Sequence, residues 1–368
     1  MSKIKRRDFL SLLLVGGIIF GFSVLGIFLP QKLYSESERR LLAQKPTLSV
    51  DSVLSGKYTD DFEKYVLDRF PMRDSFRALK TVSALYILRQ RDSNGLYIRN
   101  GHISKLDIPH SSDSAALTAS KLGSLYKNYI SGTDCACYLS MIPDKNHFLA
   151  PNAGYPTIDY AQLVSSIKKE LDAAEYIDIF GTLSLDCYYK TDPHWRQEKL
   201  LGTARVLSQA MGAGIEYDYS ENILDVPFYG AYCGQTALYT MSDTIIYLKS
   251  DTLASCVVTS YDTGTAKQSF VYDMEKAHGK DPYEMFLSGS DALLTIENPF
   301  AESKKELVIF RDSFASPLAP LLSTGYSKTT LVDLRYIKPE LLPQYITFGS
   351  QDVLFLYSTS IFGGFVSM

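Results

Sequence analysis

The sequence predicts an α/β fold with a mainly parallel sheet covered by helices on both faces. From about residue 113, strand-like and helix-like stretches alternate at the spacing of βα units. The apolar run Leu307–Phe310 reads as a short strand, and Val353–Tyr357 as another. A chain of 368 residues, 46% of them apolar, has the material for one large core or two ordinary ones.

Lys3, Lys5, Arg6 and Arg7 precede Phe9–Leu29, a run without charge. At about 1.5 Å per residue that run reaches roughly 30 Å, enough to cross a bilayer core. The basic cluster keeps residues 1–8 in the cytoplasm, so 9–29 reads as a single-pass transmembrane anchor and the rest as an extracellular domain. A cleaved signal peptide is the competing reading; the run is long for one and no clear small-x-small site follows Pro30.

Residues 30–94 read as a stalk and helical lead-in. The stalk is polar, with Ser35, Glu36, Ser37, Glu38, Arg39 and Arg40 in succession. Two amphipathic helices follow, one carrying Tyr58, Phe62, Tyr65 and Val66, the other Phe76, Leu79, Val82 and Tyr86, with Pro71 between. Both are expected to be packed.

Residues 95–368 form the main domain. Asn100-Gly101 signals a hairpin over 95–104. A helix is expected near 113–131, a strand at Cys135–Ile142, a loop at Pro143–His147, a helix near 159–174, a strand at Tyr176–Phe180 and a helix near 196–211. Residues 213–300 break the rhythm with short strand-like pieces, read as an antiparallel insertion or a crown over the site. The alternation resumes with Leu307–Phe310, Thr330–Leu334 and Val353–Tyr357.

A net charge of −4 is no footprint for nucleic acid. Twenty-six tyrosines against one tryptophan suit half-wet surfaces such as sugar clefts, but also fill strands. The five cysteines contain no CxxC pair, and no histidine pair has ligand spacing, so neither a metal nor a cofactor is expected.

Two stretches carry chemistry. Ser313 falls in the turn between the strand Leu307–Phe310 and a helix expected to start at Ser316-Pro317. A serine there lies at the carboxyl edge of the sheet beside backbone N–H groups that no helix carbonyl satisfies. Tyr188–Trp195 offers Asp192 and His194 two residues apart. A serine needs a neutral imidazole to take its proton, and the imidazole needs an acid to fix its tautomer. Asp192, His194 and Ser313 are therefore the expected catalytic triad, with N–H groups of Ser313 and its neighbours as the oxyanion hole.

Asp312 is expected to brace the turn, and Trp195 to be a core anchor or a pocket wall. Tyr189, Trp195, Arg311 and Arg335 are the candidates for substrate binding, the two arginines read first as structural ion-pair partners. His147 is a second-choice base; His102 is read as structural or solvated, and His110 and His278 are assigned no role.

The chain resembles the DHHW family of bacterial surface proteins, itself similar to the SGNH-hydrolase-like alginate O-acetyltransferases. The resemblance runs through Ser37–Ala43 with Pro46, Asp68–Asp74, Ile142–Lys145, Tyr189–Trp195, Phe310–Phe314 and Val332–Tyr336. It implies a three-layer α/β/α sandwich, with the acid–base pair ahead of the serine in the chain. It also implies that residues matching Asp192, His194 and Ser313 move acetyl groups onto exopolysaccharide through an acyl-serine. Pro193 stands where the family name implies histidine.

Three functions follow as expectations. One is an exported, membrane-anchored O-acyltransferase acting on a cell-surface polysaccharide, with its acyl group supplied by a multi-pass membrane acyltransferase. The second is a carbohydrate acetyl esterase with the same triad. The third is a non-catalytic glycan-binding surface protein.

Overall fold

The computed structural model describes residues 6–28, 32–107, 112–262 and 264–363. His110 and Pro30 lie outside the described residues. The chain divides into two compact units. One comprises the residues up to Asn94 with Cys233–Thr240, the other Gly95–Tyr232 with the residues from Met241 on.

The first unit begins with helix α1 (Arg6–Phe28). Its segment Asp8–Gly26, 19 residues, is long and apolar enough to cross a membrane. The amphipathic helices follow as α2 (Lys57–Asp68) and α3 (Arg73–Val82), the latter continuing as a wider turn over Ser83–Ile87. They are not packed as the sequence suggests. Of the residues in α2 and α3, only Thr81 is buried. What they enclose is polar. Glu38 accepts from Arg73 Nη1 at 2.5 Å, Arg77 Nη2 lies 3.4 Å from the same carboxylate, and Arg40 Nη1 donates to Asp68 at 2.9 Å. Burial pushes the Glu38 carboxyl up, but the hydrogen bond from Arg73 and the charges of Arg77, Arg73 and Arg40 outweigh it and hold it below the usual range.

The second unit holds an eight-stranded sheet: β1 (Ala136–Ile142), β2 (Glu175–Tyr176), β3 (Val257–Ser260), β4 (Lys267–Ser269), β5 (Leu293–Glu297), β6 (Glu306–Arg311), β7 (Lys328–Val332) and β8 (Asp352–Ser358). Their spatial order is β4-β3-β5-β7-β6-β8-β1-β2. The pairings from β7 through β2 are parallel and those among β4, β3, β5 and β7 antiparallel. Part of the expected insertion is thus no insertion. Its last three strands extend the central sheet, while only Ser220–Ile223 with Ile246–Lys249 stand apart as a two-stranded ribbon.

Alternation along the central strands sorts their side chains into two cores. Leu307, Ile309, Leu354 and Leu356 face one, shared with helix Leu201–Ala210 and helix Ala315–Ser323. Val308, Phe310, Val353 and Phe355 face the other, shared with helix Ser112–Leu125 and helix Tyr160–Glu170. Helices cover both faces, which makes three layers. Strand β6 has its two successors on either side, β7 and β8. Such a reversal opens a crevice at the carboxyl edge, where ligands bind in open α/β sheets. The hairpin forms at Leu96–Arg99 and His102–Lys105, with Asn100 and Gly101 both at positive φ as its turn requires.

Candidate active site

The turn after β6 is built by Asp312. Its Oδ1 accepts from the Phe314 N–H at 3.0 Å and its Oδ2 from the Ser358 N–H at 2.8 Å, tying the turn to the end of β8. The helix that follows starts at Ala315, one residue before the expected Ser316 cap. Ser316 is instead occupied by Arg311, whose Nη1 donates to its Oγ at 3.1 Å. The expected oxyanion donors narrow accordingly. Asp312 takes the N–H groups of Phe314 and Ala315, and the Ser313 carbonyl takes that of Ser316. Among the described residues only the Ser313 N–H of this set is left without an acceptor.

Residues 188–196 form a tight loop closed by backbone bonds from Tyr189 N to His194 O (3.0 Å) and from Arg196 N to Cys187 O (2.8 Å). Asp192 and His194 sit at its tip. His194 Nδ1 lies 2.6 Å from Asp192 Oδ1, and His194 Nε2 lies 2.8 Å from Ser313 Oγ. A carboxylate only accepts, so Nδ1 carries the proton and Nε2 offers its lone pair to the serine hydroxyl. Asp192 Oδ2 accepts from the Ala231 N–H at 2.8 Å, and its carboxylate is almost wholly buried.

The loop is clamped from three sides. Lys145, itself buried, donates to the carbonyls of Asp192 (2.8 Å) and Tyr189 (3.1 Å). Asp243 accepts from the N–H groups of Lys190 and Thr191 at 2.8 Å each and from the Thr191 hydroxyl at 2.6 Å. Gly230 donates to Thr191 Oγ1, and a Cβ there would meet the Asp192 Cβ at 2.4 Å, so no larger residue fits. On the imidazole face, Tyr283 stacks with ring centroids 4.2 Å apart at 17°, while its hydroxyl donates to the Ser313 carbonyl at 3.3 Å.

The candidates for substrate binding occupy other places. Trp195 and Tyr189 have no exposed surface. The Trp195 indole N–H donates to the Phe314 carbonyl at 2.6 Å, which staples the helix after Ser313 to the loop carrying His194. Trp195 is therefore the core anchor and not a pocket wall. Tyr189 packs against Phe228 and Tyr283. Arg311 is buried against Ser316 and the Asp291 carbonyl, and Arg335 forks onto Asp333 with Nε 2.8 Å from Oδ1. Of the four, only Arg335 retains exposed surface, and it is already paired.

Three other histidines fall elsewhere. His147 opens a helix, Asn146–Ala153, where a loop is expected. Its ring is walled by Phe148, Tyr160 and Phe180 beside a cavity of about 450 Å³ that contains neither His194 nor Ser313. Burial lowers its pKa. His102 is buried, and burial together with the charge of Lys145 pulls its pKa down to about 4. His278 is exposed between the Met274 carbonyl and Asp225.

Lys145 lies in a stretch already singled out, and a lysine at a strand's carboxyl end is a visible signal. Asp243, Gly230 and Tyr283 carry none. They come from a segment whose pattern reveals short strands and no partner for each. Among the described residues no group of acidic, histidine and cysteine side chains is arranged to hold a metal, and all five cysteines are free.

No family model matches the chain, and no curated protein matches it. Solved structures do. A DHHW family protein from Eubacterium siraeum superposes with a TM-score of 0.61 at 20% identity, over 74% of this chain and 93% of that one. Bacillus cereus PatB1, solved with a sulfonyl adduct, superposes at 0.54 with 19% identity, over 73% and 96%. The same protein solved a second time gives 0.54 and 17%. The shared architecture is the three-layer α/β/α sandwich.

Proposed function

We propose that this chain is a membrane-anchored serine O-acyltransferase that acts outside the cell on a polysaccharide hydroxyl. The observation that carries it is the continuous relay from Asp192 Oδ1 through His194 to Ser313 Oγ, at 2.6 and 2.8 Å. Ser313 Oγ attacks an acyl ester carbonyl while His194 Nε2 takes its proton. The oxyanion forms beside the Ser313 N–H, a fixed donor of the kind worth on the order of 3 kcal/mol in a transition state. The imidazolium returns the proton to the leaving alcohol, and the Ser313 acyl ester remains. A sugar hydroxyl then enters, gives its proton to Nε2 as its oxygen attacks the acyl carbonyl, and takes the acyl group, while the Oγ–acyl bond breaks and Nε2 returns that proton to Ser313 Oγ. The donor arrives on the outer side of the membrane, from a multi-pass membrane acyltransferase, and Asp8–Gly26 holds the enzyme there. Water as acceptor would make the same site an esterase.

The fold neighbour solved with a sulfonyl adduct supports the choice of probe, since sulfonyl electrophiles report activated nucleophiles. A sulfonyl fluoride should label Ser313 in the wild-type chain, located by peptide mapping. Label elsewhere, or none, would refute an activated Ser313. Given an acetyl ester donor and a glycan acceptor, product masses should show acetylated glycan in excess of free acetate. Ser313→Ala should lower the rate about a millionfold, the order of loss found when the nucleophile of a serine triad is removed.

A further inference from the structure

Helix α3 is built inside out for a protein in water. Positions 73, 77, 81 and 84 share one face, and that face is turned inward. Its residues are mostly polar. Arg73 and Arg77 pair with Glu38, Arg77 Nη2 also donates to the Gly234 carbonyl at 2.8 Å, and the Thr81 hydroxyl donates to the Thr236 carbonyl at 3.0 Å. Away from that face lie Leu79, Phe76 to its side, and Tyr86 and Ile87 of the wider turn, all exposed, Ile87 to 68%. In a soluble domain an amphipathic helix turns its apolar stripe to the core. Here the stripe is turned away, and Val66 and Leu67 of α2 are exposed as well. Exposed apolar surface of this kind marks a contact with something else.

The position of α1 says what that is. Phe22 stacks on Phe70 with ring centroids 5.3 Å apart and meets Phe76 edge-on at 5.5 Å. Pro71 lies 3.8 Å from where a Cβ on Gly26 would sit. Phe22 is one turn short of Gly26, the last residue of the apolar span, so it lies about 6 Å inside the span's end. The start of α3 is therefore level with the boundary between acyl chains and headgroups, the depth that interfacial helices occupy.

We infer that the exposed stripe of α3, from Phe76 to Leu88, is a lipid-contacting face that lies in the outer interface of the bilayer crossed by α1. The inference rests on the reading of Asp8–Gly26 as an anchor. The polar underside of α3 then has a function: the ion-pair network of Glu38, Arg73 and Arg77 fixes the helix in the plane of the membrane. The apolar face removes from water the side chains that would otherwise promote aggregation.

The full chain, reconstituted in vesicles of phosphatidylethanolamine and phosphatidylglycerol with a trace of diazirine-bearing phosphatidylcholine, is irradiated and the adducts are mapped. Label should appear on Phe9–Gly26 and on Phe76–Leu88, the latter roughly tenfold above peptides of the sheet-containing unit, as expected for a helix half sunk in the interface. In Leu79→Lys/Ile87→Lys the label on α3 should be lost while that on Phe9–Gly26 stays. Label on the span but not on α3 in the wild-type chain overturns this proposal alone. Label on neither overturns the anchor, and the lipid face with it.

Discussion

Around α3, charged side chains point inward and aromatic ones outward; in the sheet of the second unit the arrangement is reversed. Arg73, Arg77 and Glu38 meet beneath the helix while Phe76 and Leu79 are exposed. In the sheet Phe310 stacks on Phe355 at 5.1 Å with both rings fully buried, and the charged Glu306 and Lys328 sit partly exposed at strand starts. The same composition rules produce both, because burial follows whichever solvent surrounds the surface. For the sheet the burial pattern is the one that water outside the unit produces. For α3 we assign it to lipid.

The difference can be broken or sharpened by substitution. Phe355→Ala should destabilise the sheet-containing unit by about 3–5 kcal/mol, read from denaturant unfolding, since it empties a fully packed site. A much smaller loss would mean that this core is looser than its stacking indicates. An acid transition should also belong to this unit. His102 has its folded pKa depressed to about 4 against an ordinary value of 6.5. The unfolded chain therefore binds more protons between those values, and stability present above about 6.5 is lost as pH falls toward 4. At about 1.4 kcal/mol per pKa unit the effect is roughly 3–4 kcal/mol at most, and His102→Gln should flatten the profile across that window.

The ion-paired unit should respond to charge instead. Glu38→Gln leaves Arg73 and Arg77 without their shared carboxylate and should cost about 1–2 kcal/mol, with part of the effect erased in wild-type protein by high salt. Insensitivity to both would show that the network does not position α3. Leu79→Ser in detergent-free, lipid-free solution should change stability by less than about 0.5 kcal/mol, because the side chain is already in water there. A large loss would place Leu79 in a protein contact and narrow the contrast between the two units.

The candidate triad shows which parts of a site a sequence can carry. Asp192 and His194 are two residues apart, so their mutual reach is local, and the Ser313 turn is announced by an apolar strand before it and Pro317 after it. The candidate oxyanion donor was legible only in outline. Asp312 claims the neighbouring N–H groups, Phe314 by its carboxylate and Ala315 by its carbonyl, and that competition depends on a turn geometry and a rotamer no pattern encodes. Asp243, Gly230 and Tyr283 were not legible at all. Each acts on the Asp192 loop from 39 or more residues away, Asp243 through its carboxylate, Tyr283 through its ring and Gly230 through a close backbone approach. Trp195 and Arg311 were visible as special residues with a structural and a substrate-binding reading each, and only burial chose the structural one, because a sequence shows that a side chain is large or charged and not which way it is buried.

Periodicity alone determined the parallel core of this protein and its apolar leading segment, since both follow from spacing over a few residues, and the sequence also held the candidate triad as two short motifs. Only the tertiary structure decided that residues 257–297 continue the sheet, that Tyr283 backs His194, and that α3 turns its arginines inward. Those outcomes depend on which distant surfaces meet and on the solvent left outside them, and neither quantity is a property of any local stretch of chain.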